Sequence, residues 1–213
     1  MTPASTVRHP VFARAWHRLT PGIERELGPC RRELLAGLSG RVVEVGAGNG
    51  MNFRHYPDTV TEVVAVEPEP YLRARAEAAA RAASVPIVVC DGLAGALAFA
   101  DESFDAAVAC LVLCSVPDQA SALAELRRVA TVEGELRFLE HVRAGATGKA
   151  RIQEALDRSR LWPLVAGGCH CARDTVAAIS AAGFAIDQVR ELNLGPGWLN
   201  TNPHVLGAAR RRA

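Results

Sequence analysis

The chain has 213 residues, with 24 Lys and Arg against 23 Asp and Glu, a formal net charge of +1. That length suits one domain with a sizeable core, and the charge balance argues against a protein held on nucleic acid or anionic lipid by bulk charge. A hydrophobic share of 49% beside 22% charged residues is that of a folded globule, not of a disordered chain. Lys149 is the sole lysine, and Gly148-Lys149-Ala150 lacks the Ser/Thr and the upstream glycines of a phosphate-binding P-loop. No stretch approaches the roughly 20 apolar residues of a membrane span. The N-terminus has no apolar signal-peptide core, so the expected location is cytoplasmic. Six cysteines (Cys30, Cys90, Cys110, Cys114, Cys169 and Cys171) fit a reducing compartment as free thiols. Cys90 and Cys110 stand in apolar runs, as small core residues do.

Residues 1–22, with Pro3, Pro10 and Pro21 around Val11, Phe12 and Trp16, read as an ordered lead-in or short helix. Residues 23–37 read as a helix with Ile23, Leu27, Leu34 and Leu35 on one face. Together, residues 1–37 are expected to form a helical cap over the site. Arg41 to Val45 is a nearly continuous β-branched run closed by Gly46, the pattern of a strand buried on both faces. Val63–Val66 repeats it and stops at Glu67-Pro68. A helix over 69–83 follows, rich in Ala, Arg and Glu. Ile87–Cys90 is a third strand ending at Asp91-Gly92, and Phe104–Leu113 a fourth ending near Cys114-Ser115. The helix from Asp118 to Ala130 has an aspartate N-cap and an apolar stripe at Leu123, Leu126 and Val129. Glu135–Leu139 is a fifth strand, ended by Glu140-His141. A helix over 148–160, a turn at Gly167-Gly168 and a helix from Arg173 to Ala182 closed by Gly183 come next. Phe184–Leu192 and His204–Ala209 are the last strands, joined by a loop rich in Asn, Gly and Pro. Alternating strands and helices without repeats or linkers predict one α/β domain over 1–213 with a mostly parallel sheet.

The segment Glu44-Val-Gly46-Ala-Gly48-Asn-Gly50 follows the first strand directly. Glycines there let the backbone turn sharply and approach a ligand at the carboxyl edge of the sheet, where open α/β folds bind. A tight turn alone needs one glycine, not three at alternate positions. A dinucleotide fingerprint would carry its third glycine at position 51, where Met51 stands, and 52–57 is too short and Pro-ended for the helix a pyrophosphate requires. Glu67 lies 67 − 46 = 21 residues past the first glycine, at the end of the second strand. A carboxylate there can accept both ribose hydroxyls, which identifies a nucleoside and not one cofactor.

E-x-G-x-G-x-G, an acid closing the second strand and Asp-Gly closing the third resemble the class I S-adenosylmethionine-dependent methyltransferases, over about residues 30–210. The resemblance implies a Rossmann-like seven-stranded sheet, mostly parallel with the last strand antiparallel and helices on both faces. It implies S-adenosyl-L-methionine as cofactor. Gly46, Gly48 and Gly50 would pass beneath it, Glu44 would support the loop, and Glu67 beside Pro68 would hold the ribose. Asp91-Gly92 would lie at the adenine, and Leu111 would offer backbone to the methionine amine. Thr131-Val-Glu-Gly134-Glu stands where relatives usually carry Arg-Pro-Gly-Gly, in a turn away from catalysis. Leu113-Cys-Ser-Val116, Phe138-Leu-Glu-His141, Gly168-Cys-His-Cys-Ala-Arg-Asp174 and Pro203-His204 are similar to a narrower group, the alkyl-thiol methyltransferases and their bacterial phospholipid-methyltransferase-like homologues.

Methyl transfer from a sulfonium needs alignment, exclusion of water and a place for one proton. A thiol acceptor is already a few per cent ionised near neutral pH. His141, at the carboxyl edge after the fifth strand, is the first candidate base, with a histidine merely bonded to a loop carbonyl as the alternative. His170 in its Gly-rich loop is second and His204 third. Trp16, Trp162 and Trp198 fall in segments expected to cover the pocket, or to pack plainly. Cys169-His-Cys171 falls short of a zinc pattern, which uses C-x-x-C spacing and four ligands, so no metal is expected. The expected activity is methylation of a small apolar molecule, a thiol slightly favoured. The alternatives are N-methylation of a phosphoethanolamine lipid or another small amine, and a cofactor-binding protein without chemistry. The expected partner is therefore a small-molecule acceptor, with peripheral lipid contact allowed by the second reading and no nucleic acid.

Overall fold

The computed structural model describes residues 9–145, 147–195 and 203–212. Seven strands carry the fold: β1 (Gly40–Val45), β2 (Val60–Val66), β3 (Ile87–Cys90), β4 (Phe104–Cys110), β5 (Ala130–His141), β6 (Phe184–Asn193) and β7 (Pro203–Arg211). Their order in one sheet is β3-β2-β1-β4-β5-β7-β6. β7 pairs antiparallel with both β5 and β6, while the other pairings are parallel. The expected mostly parallel sheet with an antiparallel last strand is therefore present.

The β-branched run of β1 explains why it lies in the middle. Val43 and Val45 enter a core shared with Ala122, Leu123, Leu126 and Val129 of α3 (Gln119–Val129) and Ile179 of α6 (Thr175–Ala181). Val42 enters a second core on the opposite face, with Leu27, Leu34 and Leu35 of α1 (Pro10–Leu35) and Ala76 of α2 (Pro70–Ala80). A strand with apolar side chains on both faces needs cover on both, and helices supply it. The caps follow local chemistry. The Asp118 carboxylate accepts the amides of Ala120 and Ser121, Asp174 accepts that of Ala177, and Gly183 after α6 has φ +88°.

Three expectations need correction. The described part of the lead-in and the helix at 23–37 form one 26-residue helix, α1, running through Pro21 and Pro29, while residues 1–8 lie outside the described residues. Each proline removes one amide donor, and burial of Leu27, Leu34 and Leu35 against the sheet outweighs that loss. The fourth strand stops at Cys110 because Leu111 takes φ +58°, outside the extended region. The fifth strand begins at Ala130, five residues earlier than its apolar run, since Phe104 pairs with Ala130 before a register shift. Beyond the expected helix, seen as α4 (Thr147–Ser159), a short α5 (Leu161–Val165) was not foreseen. No described helix is long and apolar enough to cross a membrane.

Gly207 in β7 tests how closely this sheet is packed. A Cβ there would lie 2.5 Å from both Gln188 O and Phe138 Cζ, one of them backbone that cannot give way. Gly207→Ala is expected to lower stability by about 1–3 kcal/mol, the range for an overpacked core. Urea denaturation checks this, and an unchanged midpoint would contradict it.

Candidate active site

The loops that matter all leave the carboxyl ends of β1, β2, β4 and β5, where an open parallel sheet has its crevice. Gly46, Gly48 and Gly50 take φ of +63°, +59° and +79°, a region that β-carbons disfavour. A β-carbon on Gly46 would overlap Val112, and one on Gly50 would come within 2.8 Å of Ala79 and Phe53. Gly48 differs: its nearest neighbour would be Trp16 Nε1, at 3.9 Å, so its outer face has room.

Glu67 binds this loop directly. Its Oε2 accepts the Gly48 amide at 2.7 Å and its Oε1 the Glu69 amide at 2.9 Å. Only 5% of Glu67 is exposed, and burial raises its pKa against those two amide bonds. Glu69 in turn accepts the Leu72 amide as N-cap of α2. Arg73 donates to the carbonyls of Glu67 and Pro68 and to Asp91 Oδ1, at 2.7, 3.0 and 3.1 Å, binding the ends of β2 and β3 together. Gly92 lies against Val66, 2.9 Å from where its own Cβ would stand.

Glu44 lies beneath the loop and is buried. Tyr56 OH donates to it at 2.6 Å and Asn52 Nδ2 at 2.8 Å, while Arg31 of α1 donates to Asn52 Oδ1 at 2.6 Å. Asn49 lies 3.2 Å from His17 Nδ1 and donates to Thr20 Oγ1 at 3.3 Å. The glycine loop and the turn after it are thus sewn to α1 by three side-chain contacts that no motif pointed to. Burial pushes the Glu44 pKa up to about 7, although Tyr56, Asn52 and Arg31 all pull the other way.

On the other side of Gly46 the loop after β4 is shaped by a second carboxylate. Glu140, fully buried, accepts the amides of Val112 (3.0 Å) and Leu113 (2.9 Å) on Oε1 and that of Cys114 (3.1 Å) on Oε2. Leu111 N–H goes to Leu139 O. The three amides lower the Glu140 pKa, and burial, the larger effect, raises it. Sequence reasoning gave Glu140 no role. The available signal was an acid ending an apolar strand.

His141, next in line, has its Nδ1 3.6 Å from Cys114 Sγ and 3.4 Å from Cys169 Sγ. Burial pulls the His141 pKa down, but the hydrogen bond and charge of Cys169 outweigh it, for a net rise. The Cys169 thiol is shifted down, first by its bond with Cys114 and then by His141, and Cys114 is shifted up. The His204 ring packs on His141 with centroids 4.2 Å apart. The His170 ring is partly exposed, 4.0 Å from Asp157, and its amide donates to Cys114 O at 2.8 Å, so its loop lies against the loop after β4. Cys171 turns the other way, to Asp157 Oδ1 at 3.5 Å, and burial pushes its thiol up to about 12. Phe12 and Trp16 of α1 stack at 5.9 Å, and Phe12 covers Gly167. Trp198 lies outside the described residues.

A glycine loop over a buried acid, a second acid closing β2 and a seven-stranded sheet ending in an antiparallel strand are the layout that the sequence resemblance implies. Comparisons with known proteins test that resemblance. Residues 43–138 match a methyltransferase domain family. The chain is 31% identical to human thiol S-methyltransferase TMT1A over 204 residues, covering 90% of this chain and 82% of that protein. Mouse thiol S-methyltransferase TMT1B is 33% identical, with 82% and 73% covered. Among solved structures, an S-adenosylmethionine-dependent methyltransferase from Mesorhizobium loti superposes with TM-score 0.64 at 21% identity, covering 87% of this chain and 97% of that one. The [4+2]-cyclase SpnF superposes at 0.68 and 20% identity over 94% and 82%, so the fold by itself does not choose the chemistry. The chain belongs to the class I S-adenosylmethionine-dependent methyltransferases. S-adenosylmethionine is its methyl donor.

Glu44 gives the site a pH signature. Its carboxyl prefers the neutral form when folded, with a pKa of about 7 against 4.5. The stability this contributes is full below the unfolded pKa and is lost as pH rises through the folded one. Glu44→Gln should therefore remove a fall in stability between about pH 4.5 and about pH 7, worth up to about 3 kcal/mol. Urea unfolding of both proteins across that window measures it, and parallel curves would contradict it.

Proposed function

We propose that this enzyme S-methylates a small apolar thiol. The observation that carries the reading is the meeting of two thiols and an imidazole at the carboxyl ends of β4 and β5, beside the glycine loop. The names of its human and mouse relatives point to the same acceptor. We assign the cofactor to the cleft above Gly46, Gly48 and Gly50. Glu44 supports the loop, and Glu67 with Pro68 holds the ribose. Each Glu67 oxygen takes one amide bond in the fold and keeps a lone pair for a ribose hydroxyl. Asp91-Gly92 borders the adenine, and Leu111 presents backbone to the methionine amine. The helix α1, with Phe12 and Trp16 over the two glycine-rich loops, covers the cleft and keeps water from the sulfonium.

Catalysis then asks little of the protein. The sulfonium is already activated, so the main contribution is to hold acceptor sulfur, methyl carbon and leaving sulfur in line. His141 stands on the acceptor side, where it orients the thiol and receives its proton, while His170 contributes through its loop, whose amide bonds Cys114 O. The thiol sulfur forms a bond to the methyl carbon, and the sulfonium C–S bond breaks with its electron pair going to S-adenosylhomocysteine.

Incubation with S-adenosylmethionine and either an alkyl thiol or the amine of matched length tests the acceptor. The expected result is a thioether and S-adenosylhomocysteine from the thiol, at least about tenfold faster than any amine product, as thiolate nucleophilicity predicts. Amine methylation without thiol methylation would overturn the reading. Gly48→Val, which sets a branched side chain into the open space at φ +59°, is expected to lose cofactor affinity by more than about tenfold. Unchanged affinity by calorimetry would remove the cleft.

A further inference from the structure

Cys114, His141 and Cys169 come from three separate segments, the loop after β4, the last residue of β5 and the loop before α6. Their ligand atoms all lie within 4.8 Å of one another. The two S···N separations are 3.6 and 3.4 Å. A tetrahedral ion about 2.3 Å from sulfur and about 2.05 Å from nitrogen has S···N edges of about 3.5 Å. Both observed separations lie within about 0.1 Å of that edge, so the imidazole nitrogen already stands from each sulfur as two ligands of one tetrahedral ion do.

The segments that carry the ligands are also fixed. Glu140 holds the amides of 112–114, the His170 amide bonds Cys114 O, and Arg173 donates to Leu113 O at 2.6 Å and Val116 O at 2.8 Å. Such support keeps ligands in geometry before an ion arrives. Two thiolates and one imidazole with a fourth position left over is a donor set of catalytic zinc, whereas structural sites use four protein ligands. The neighbouring pair in sequence, Cys169 and Cys171, is not the chelate, because Cys171 faces Asp157.

We propose that Cys114, His141 and Cys169 bind one thiophilic divalent cation of the zinc class, whose fourth ligand is the acceptor thiol as its thiolate. This rests on the thiol reading above. Metal binding releases the protons of Cys114 and Cys169. With the ion in place His141 is a ligand and no longer the proton acceptor, so the acceptor S–H loses its proton to solvent on coordination, and the bound thiolate forms the new bond to the methyl carbon. The sulfonium C–S bond breaks with its pair to the departing sulfur, and the neutral thioether leaves as a poorer ligand. Three thiolates around a dication carry a net charge of −1, complementary to the sulfonium.

The test titrates cobalt(II) into the reduced, chelator-stripped full chain, with neither cofactor nor acceptor present. One cobalt per chain is expected, with thiolate-to-cobalt charge transfer and the strong visible bands of a tetrahedral ion. Both should vanish in Cys114→Ser and Cys169→Ser and persist in Cys171→Ser. In the unmutated chain, bound zinc should shield Cys114 and Cys169 from a thiol-alkylating reagent, a readout that needs no variant to fold. Adding an alkyl thiol should raise the charge-transfer intensity by about one half, from two thiolates to three. Absence of stoichiometric cobalt, or a spectrum that thiol leaves unmoved, would overturn the proposal. Neither result touches methyl transfer to thiols, which is read by product formation alone.

Discussion

The bond from the Gly48 amide to Glu67 Oε2, 2.7 Å long, is the constraint on which the proposed cofactor seat depends. It fixes a loop whose three glycines all have positive φ and would otherwise be the least ordered part of the edge. The same carboxylate takes the Glu69 amide, so the glycine loop and the start of α2 share one anchor. Arg73 extends the anchor to the end of β3. Burying a carboxylate costs several kcal/mol in effective terms, and two backbone amides offset part of that. The remainder is the kind of cost retained where a site has to be preorganised.

Glu140 does for the loop after β4 what Glu67 does for the glycine loop. Both are buried acids at or just past strand ends, and both spend their oxygens on backbone amides of an adjacent loop. The two loops meet where Val112 packs against Gly46 so closely that no side chain fits there. A shift of either loop would therefore be felt by the other. That coupling suits a reaction whose barrier depends on the distance and angle between two sulfur atoms and one carbon.

Much of this was legible in the sequence because it is local. The β-branched runs of β1 and β2, the Asp118 cap, Gly183 after α6 and the glycine loop each follow from neighbouring residues. The strand count and the antiparallel last strand came through family resemblance, and the order of strands was not read at all, since pairing across the sheet leaves no local trace. Pro21 and Pro29 hid the continuity of α1, whose helix is held by burial that propensity does not register. The links from Asn49 and Asn52 to α1 join residues 21 to 32 positions apart, with no motif to announce them. Cys114 and Cys169 stand 27 and 28 positions from His141, on either side of it, whereas the conspicuous Cys169-His-Cys171 triplet draws attention to a cysteine that faces elsewhere.

The central claim is that the glycine loop and Glu67 form the cofactor seat. Calorimetric titration of S-adenosylhomocysteine into the unmutated chain and into folded Glu67→Ala, with NADH as control, tests it most directly. The account predicts binding of the sulfur nucleoside, no binding of NADH, and a loss of roughly 1.5–3 kcal/mol in the variant, the worth of a hydrogen bond to a charged group. Equal affinity in both proteins, or NADH bound as tightly, would contradict it.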